Sequence, residues 1–131
     1  MKTRLFTHED YPMLVSWWEG HGWPAVPEIA LPKVGILIES LDSVLAAAWL
    51  YFETSGVVCQ MEWVVTNPNN KPKDSVKALS LLLDAIDQVR AANGYKVTQT
   101  ACKVPSLIRL YEKAGFVKTD EGITHMVKGG N

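Results

Sequence analysis

Residues 57–102 read VVCQMEWVVTNPNNKPKDSVKALSLLLDAIDQVRAANGYKVTQTAC, and the spacing of apolar residues changes twice within them. Val57 to Thr66 is an extended apolar run. After Asn67-Pro68-Asn69-Asn70-Lys71-Pro72-Lys73 the period lengthens from 2 to about 3.6, and Val76, Leu79, Leu82, Leu83, Ile86 and Val89 form one helical stripe. Asp74 or Ser75 is placed to cap that helix and Asn93-Gly94 to end it. Tyr95 to Cys102 then alternates as a strand. A strand–helix–strand passage of this length demands a parallel crossover. The loop from Asn67 to Lys73 falls at the carboxyl end of its first strand, where open α/β sheets collect ligands.

Upstream, Lys2 to Phe6 alternates weakly, and Thr7 with Asp10 resembles a capping box that opens a helix burying Tyr11, Leu14, Val15 and Trp18. Gly20 and Gly22 end it, and three prolines between Trp23 and Pro32 predict an ordered apolar loop. Lys33 to Glu39, Val44 to Glu53 and Val57 to Thr66 are successive strands of a meander, joined by Ser40-Leu41-Asp42-Ser43 and Thr54-Ser55-Gly56. Downstream, Pro105 opens a helix carrying Leu107, Leu110, Tyr111 and Ala114 that Gly115 stops. Phe116 to Lys118 and Ile123 to Lys128 read as a closing hairpin, with Gly129, Gly130 and Asn131 as a frayed tail. The sum is an α/β (α+β) domain with a mixed sheet.

At 131 residues the chain has the length of one domain, residues 1–131, and 47% hydrophobic with 21% charged residues excludes disorder as its main state. Thirteen Lys and Arg against fourteen Asp and Glu give a formal charge of −1, which excludes general attraction to nucleic acid or anionic lipid. Any phosphate site has to be local. Cys59 and Cys102 form neither a disulfide framework nor a metal spacing, and His8, His21 and His125 share none. With no signal-like start and no membrane-length apolar run, the expected location is the cytoplasm.

The element order, the segment SLIRLYEKAGF at 106–116 and the strand–loop–helix from Val57 to Val89 together resemble the GCN5-related N-acetyltransferase superfamily. The runs LPKVGILIE, AAAWLYFE and MEWVVTNP look more particularly like small acetyltransferase-like proteins carried by bacteriophages, which would place this one in the host cytoplasm. The resemblance implies a mixed, splayed sheet with acetyl-CoA as co-substrate, lying where the fourth and fifth strands diverge. By the same resemblance, its pantetheine meets the strand edge Val64, Val65 and Thr66, and its pyrophosphate meets Lys71, Lys73, Asp74, Ser75 and Val76. Amides at a helix N-terminus are unpaired donors at the positive end of the macrodipole. The family's Arg or Gln and two small residues correspond to Lys71, Asp74 and Val76, so the loop is degenerate, and its helix-four asparagine is replaced by Lys103 or Val104. Val76 would crowd a phosphate and Asp74 repel it, whereas Lys71, Lys73 and Lys77 offset that charge.

The implied reaction is transfer of an acetyl group to an amine, of a small molecule or a protein. Tyr111 resembles the family's acid at the sulfur, and Glu62, alternating with Val64 and Thr66, resembles a base acting through water. Trp23 and Trp18 are candidate acceptor-binding residues, whereas Trp49 and Trp63 read as core along with Trp18 as its competing assignment. The rival reading is a non-catalytic protein of the same fold, engaging a partner through its Trp/Pro-rich loop or binding CoA without turnover. An apolar strand near the carboxyl end offers an edge to a second copy, as in a homodimer.

Overall fold

The computed structural model describes residues 1–130. Its five-stranded sheet has the order β1-β2-β3-β4-β5, where β1 is Lys2–Leu5, β2 Val34–Glu39, β3 Val44–Phe52, β4 Val58–Thr66 and β5 Val97–Gln99. The first four strands are antiparallel neighbours. β5 is parallel to β4, as the intervening helix requires. Three α-helices accompany the sheet: α1 (Tyr11–Gly20), α2 (Pro72–Ala92) and α3 (Pro105–Lys113).

The strict alternation of β2 and β3 divides the interior into two cores. Ile36, Ile38, Ala46, Ala48 and Leu50 join Cys59, Met61, Leu82, Ile86 and Tyr111 on the face covered by α2. Leu37, Ala47 and Trp49 join Leu14, Trp17, Trp18 and Val65 on the face covered by α1. Each fully buried Leu, Ile or Met contributes about 1.5–3 kcal/mol by leaving water. Gly35 is required by the second core: a Cβ there would lie 2.3 Å from Trp49 Nε1 and 2.8 Å from Phe6 Cβ. Even so, Trp49 Nε1 is buried without a hydrogen-bond partner.

Several local expectations are corrected. A 3₁₀ turn over His8–Asp10 precedes α1, and Asp10 accepts the Thr7 amide at 2.8 Å while pairing with Arg4. Trp17, not Val15, completes the buried stripe of α1. α2 begins at Pro72 with Lys71 as its N-cap, because proline presets the first helical φ; Asp74 lies inside the first turn and caps nothing. Val76 is 55% exposed, and Ala78, Leu82, Leu83, Ala85 and Ile86 form the buried face instead. Trp63 is 41% exposed because the chain departs from regular alternation at that residue.

The expected closing hairpin is absent among the described residues. Phe116 turns in against Tyr111, with ring centroids 5.5 Å apart, and residues 117–123 with His125 border a cleft rather than pair with β5. Gly129 and Gly130 have no regular structure, and Asn131 lies outside the described residues.

Candidate active site

The site begins where the ladder between β4 and β5 stops. Three pairs hold those strands, Val58 with Val97, Cys59 with Thr98 and Gln60 with Gln99. A last tie follows, Thr100 Oγ1 donating to Met61 O at 2.9 Å. β4 runs on to Thr66 without β5 beside it, so one edge of Glu62 to Val65 is free of strand partners among the described residues. Thr66 O accepts from His21 Nε2 at 2.8 Å, which sets that ring's tautomer and closes the edge at its far end. His21 stacks on Trp23, 4.5 Å between centroids, and Trp23 is 51% exposed above this end of the strand.

Trp63 marks the change of course. Its φ is 60°, the left-handed region that bulky residues avoid at a cost of about 1–3 kcal/mol. The β3–β4 register slips between Ala47 and Trp49 opposite it. One extra residue in β4 therefore reverses the alternation. Cys59 and Met61 enter the α2-side core before the bulge, Val64 packs against that same core after it, and Val65 enters the α1-side core. Glu62 pairs with Trp49 and Gln60 with Tyr51, so Glu62 faces the α1 side with them and does not share a face with Val64 and Thr66. That overturns the alternation expected for this glutamate.

A cavity of about 940 Å³ lies along β5, α2, α3 and the segment after α3, bordered by Glu62, Thr100, Cys102, Tyr111 and His125 among others; Val64, Val65, Thr66, Lys71, Lys73, Asp74, Ser75 and Val76 do not border it. Glu62 and Tyr111, 49 positions apart in sequence, both border it. Burial holds the Glu62 carboxyl above the usual carboxylate range, against the opposing charge of His125. No described residue hydrogen-bonds to it. Tyr111 is buried to 5% exposure. Burial first, then the Cys102 thiol and Glu62, push its phenol well above the ordinary value. It stays a donor throughout the physiological range.

The loop beyond β4 is fixed by its asparagines. Asn67 Nδ2 donates to Val44 O at 3.0 Å, and Asn70 Nδ2 to Leu45 O at 2.8 Å and Ser75 Oγ at 3.1 Å. At the start of α2, the amides of Asp74 and Ser75 already bond to Lys71 O, and Pro72 has no amide. Of the first turn, the Lys73 amide remains unbonded among the described residues, with the exposed side chains of Lys71, Lys73 and Lys77 around it. Trp18, by contrast, is 3% exposed against Trp49 and Tyr11 and is a core residue with no surface to offer a ligand.

A second cavity, about 390 Å³, adjoins Glu62 on the α1 side and is bordered by Tyr51, Phe52, Glu53, Gln60, Glu62 and Trp63. Glu62 alone with Gln60 borders both spaces. Sequence reasoning missed Tyr51, Glu53 and Gln60. Their signal was the two-residue spacing Trp49, Tyr51, Glu53 opposite Glu62 and Gln60. Among the described residues no group of three metal-ligating side chains occurs, and no helix is long and apolar enough to cross a membrane.

No protein-family model and no curated protein matches the sequence. Solved structures do match the fold. An acetyltransferase of Trypanosoma brucei superposes with a TM-score of 0.71 at 18% identity, over 96% of this chain and 99% of that one. A transcriptional regulator of Bacillus halodurans gives 0.74 at 17% identity, over 96% and 99%. The aminoglycoside 6′-N-acetyltransferase of Enterococcus faecium gives 0.58 at 12% identity, over 72% of this chain and 57% of that one. The chain has the mixed, open-sheet fold of the GCN5-related acetyltransferases. Identities this low carry architecture and not activity.

Proposed function

We propose that this protein is an N-acetyltransferase of the GCN5-related superfamily that moves an acetyl group from acetyl-CoA to an amine. The observation that carries the reading is the early end of the β4–β5 ladder, with Glu62 and Tyr111, neither hydrogen-bonded through its side chain among the described residues, both on the border of one cavity beside it. The acetyltransferase of similar fold supports the same assignment.

The residues present suit the co-substrate in part. The free edge from Glu62 to Val65 offers backbone groups to the pantetheine amides; the Thr66 carbonyl, expected to help, is already engaged by His21. The cradle is sparser than a helix start with all its amides free, and the Lys73 amide with Lys71, Lys73 and Lys77 supplies the attraction to pyrophosphate. Asp74 and Ser75 shape that turn through their bonds to Lys71, and exposed Val76 limits how closely a phosphate approaches.

The thioester supplies an activated carbonyl. Transfer forms a C–N bond, breaks the C–S bond, and moves one proton from the attacking nitrogen to the departing sulfur in net. Glu62 accepts the nitrogen's proton directly or through one water, a task for which a carboxyl raised toward neutrality is suited. Tyr111 hydrogen-bonds the sulfur as negative charge develops there. Its raised pKa makes it a stabilising donor more than a full proton source, so solvent completes the protonation. Trp23, stacked on His21 at the end of β4, borders neither cavity, so nothing beyond its exposure supports it as an acceptor-binding residue. The phage-borne origin, the host-cytoplasmic location and a homodimer belong to the same proposal.

The test is release of free CoA thiol on mixing the protein with acetyl-CoA and a panel of amines. Release that needs both the amine and Glu62 supports the reading. No release with any amine, together with no acetylated product by mass spectrometry, rejects it.

A further inference from the structure

The smaller cavity narrows the class of acceptor, an inference that rests on the acetyl-transfer reading. Its border holds two carboxylates, Glu53 and Glu62, one amide, Gln60, and three aromatic residues, Tyr51, Phe52 and Trp63, with no cationic side chain. Neither glutamate belongs to an ion pair among the described residues. The cavity is an open groove of about 390 Å³ rather than an enclosed pocket, with Glu53, Gln60 and Trp63 exposed to solvent.

Trp63 is the unusual member. A large indole is left 41% exposed on a residue whose backbone is held at φ 60°. Its ring does not swing freely: Nε1 donates to Tyr51 Oη at 2.9 Å, and Tyr51 Oη donates in turn to Ala30 O at 2.6 Å. Two hydrogen bonds thus lock the ring at the cavity border, tied to the proline-rich loop. A fixed indole face beside carboxylates attracts a cation and leaves an anion without a partner.

The strand register sets the spacing. Glu62 pairs with Trp49, and Glu53 lies four residues beyond Trp49, with its amide bonded to Val58 O at 3.1 Å. Four residues of strand span about 13 Å. The backbones of Glu53 and Glu62 therefore stand about 13 Å apart along one face of the β3–β4 pair, a span on the scale of a short diamine with its two ion-pair contacts.

We propose that the acceptor is a small aliphatic diamine or polyamine, with its reacting nitrogen at Glu62 and a second, ammonium nitrogen held by Glu53 and the face of Trp63. Amino acids are poor acceptors at this site, since their carboxylate meets one of the glutamates. Trp63 and Glu53 determine specificity, and Glu62 serves the chemistry.

The experiment compares 1,5-diaminopentane with n-pentylamine, which has the same carbon chain and one ammonium. Acetylation rates with saturating acetyl-CoA are read alongside calorimetric binding of each amine without it. The expected kcat/KM ratio is at least twentyfold in favour of the diamine, falling to about twofold or less in Glu53→Gln. Trp63→Gly, which relieves the backbone and removes the ring, lowers that ratio at least fivefold, and Trp63→Phe restores part of it. Equal use of the two amines, or a ratio unmoved by Glu53→Gln, overturns the proposal, and acetyl transfer then stands alone. If neither amine is acetylated yet the diamine binds at least tenfold more tightly, with the preference lost in Glu53→Gln, the diamine site stands and the transfer reading falls. Binding of neither amine overturns the site.

Discussion

β2 and β3 on one side, and β4 and β5 on the other, show how differently one sheet treats two neighbouring pairs. The first pair is registered from Val34–Leu50 to Glu39–Val44 and buries nearly every side chain, divided between two cores. The second is registered over three residues and then parts. In the first pair, backbone and side chains are used up by the fold. In the second, a strand edge, a half-buried carboxyl and a phenol are left without partners, which is the condition for binding something else. The contrast teaches that function here is carried by groups the fold does not satisfy.

Glu62→Gln is the strongest way to break the contrast. Losing the base lowers kcat by roughly 10²–10³, with acetyl-CoA affinity within about twofold of the parent, as steady-state kinetics and calorimetry would report. The carboxyl is raised, so in the parent the active, ionised form appears only above the ordinary carboxylate range, and kcat climbs through that displaced limb. The sign for stability is the reverse. The folded state holds this proton more tightly than the unfolded chain, so stability declines as pH rises from the ordinary carboxylate pKa through the raised one. Glu62→Gln removes that decline, and denaturant melts across the window would show it.

Gly35→Ala tests the saturated side. The added carbon would lie 2.3 Å from the Trp49 indole, which has no room to retreat, and costs about 2–3 kcal/mol, read as a fall of several degrees in Tm. Activity per folded molecule is retained, since neither group borders the cleft. Tyr111→Phe returns to the open side with a smaller effect: kcat falls about 10- to 30-fold, and the Kd for acetyl-CoA moves less than about twofold. A parallel rise in Kd would make Tyr111 a binding residue instead.

The smallest effect belongs to the outer strand. Asp10 is held below its ordinary pKa by its hydrogen bonds from Arg4 and, after a cost from burial, from the Thr7 amide. Its ionised form stabilises the fold above the unfolded carboxylate pKa, and the gain is lost as pH falls through the lowered value. Asp10→Asn costs about 1 kcal/mol at neutral pH. The difference from the parent vanishes in acid, as urea titrations at two pH values would show.

The fold was legible in the sequence because its signals are periodic. The shift of spacing at Asn67 announces the crossover, and the apolar runs Val34 to Glu39 and Val44 to Phe52 announce the meander, although not its two cores. The bulge was not legible, since nothing in MEWVV says that Trp63 adopts a left-handed backbone, and the faces of Glu62 and Val64 depend on it. Tyr111 was singled out through its motif, and it borders the same cavity as Glu62. The cavity partners Tyr51, Glu53 and Gln60 come from cross-strand register, which a single sequence does not display. The C-terminal alternation misled because β5, three residues long, gives a closing hairpin little edge to join, and Phe116 is drawn to Tyr111.

Calorimetric titration of the protein with acetyl-CoA tests the central claim most directly. The account predicts saturable one-to-one binding between submicromolar and tens of micromolar, about 6–8 kcal/mol or somewhat more, weakened by Lys71→Ala with Lys73→Ala more at low salt than at high. Absence of binding at millimolar acetyl-CoA would contradict it and leave the divergence of β4 and β5 without that ligand.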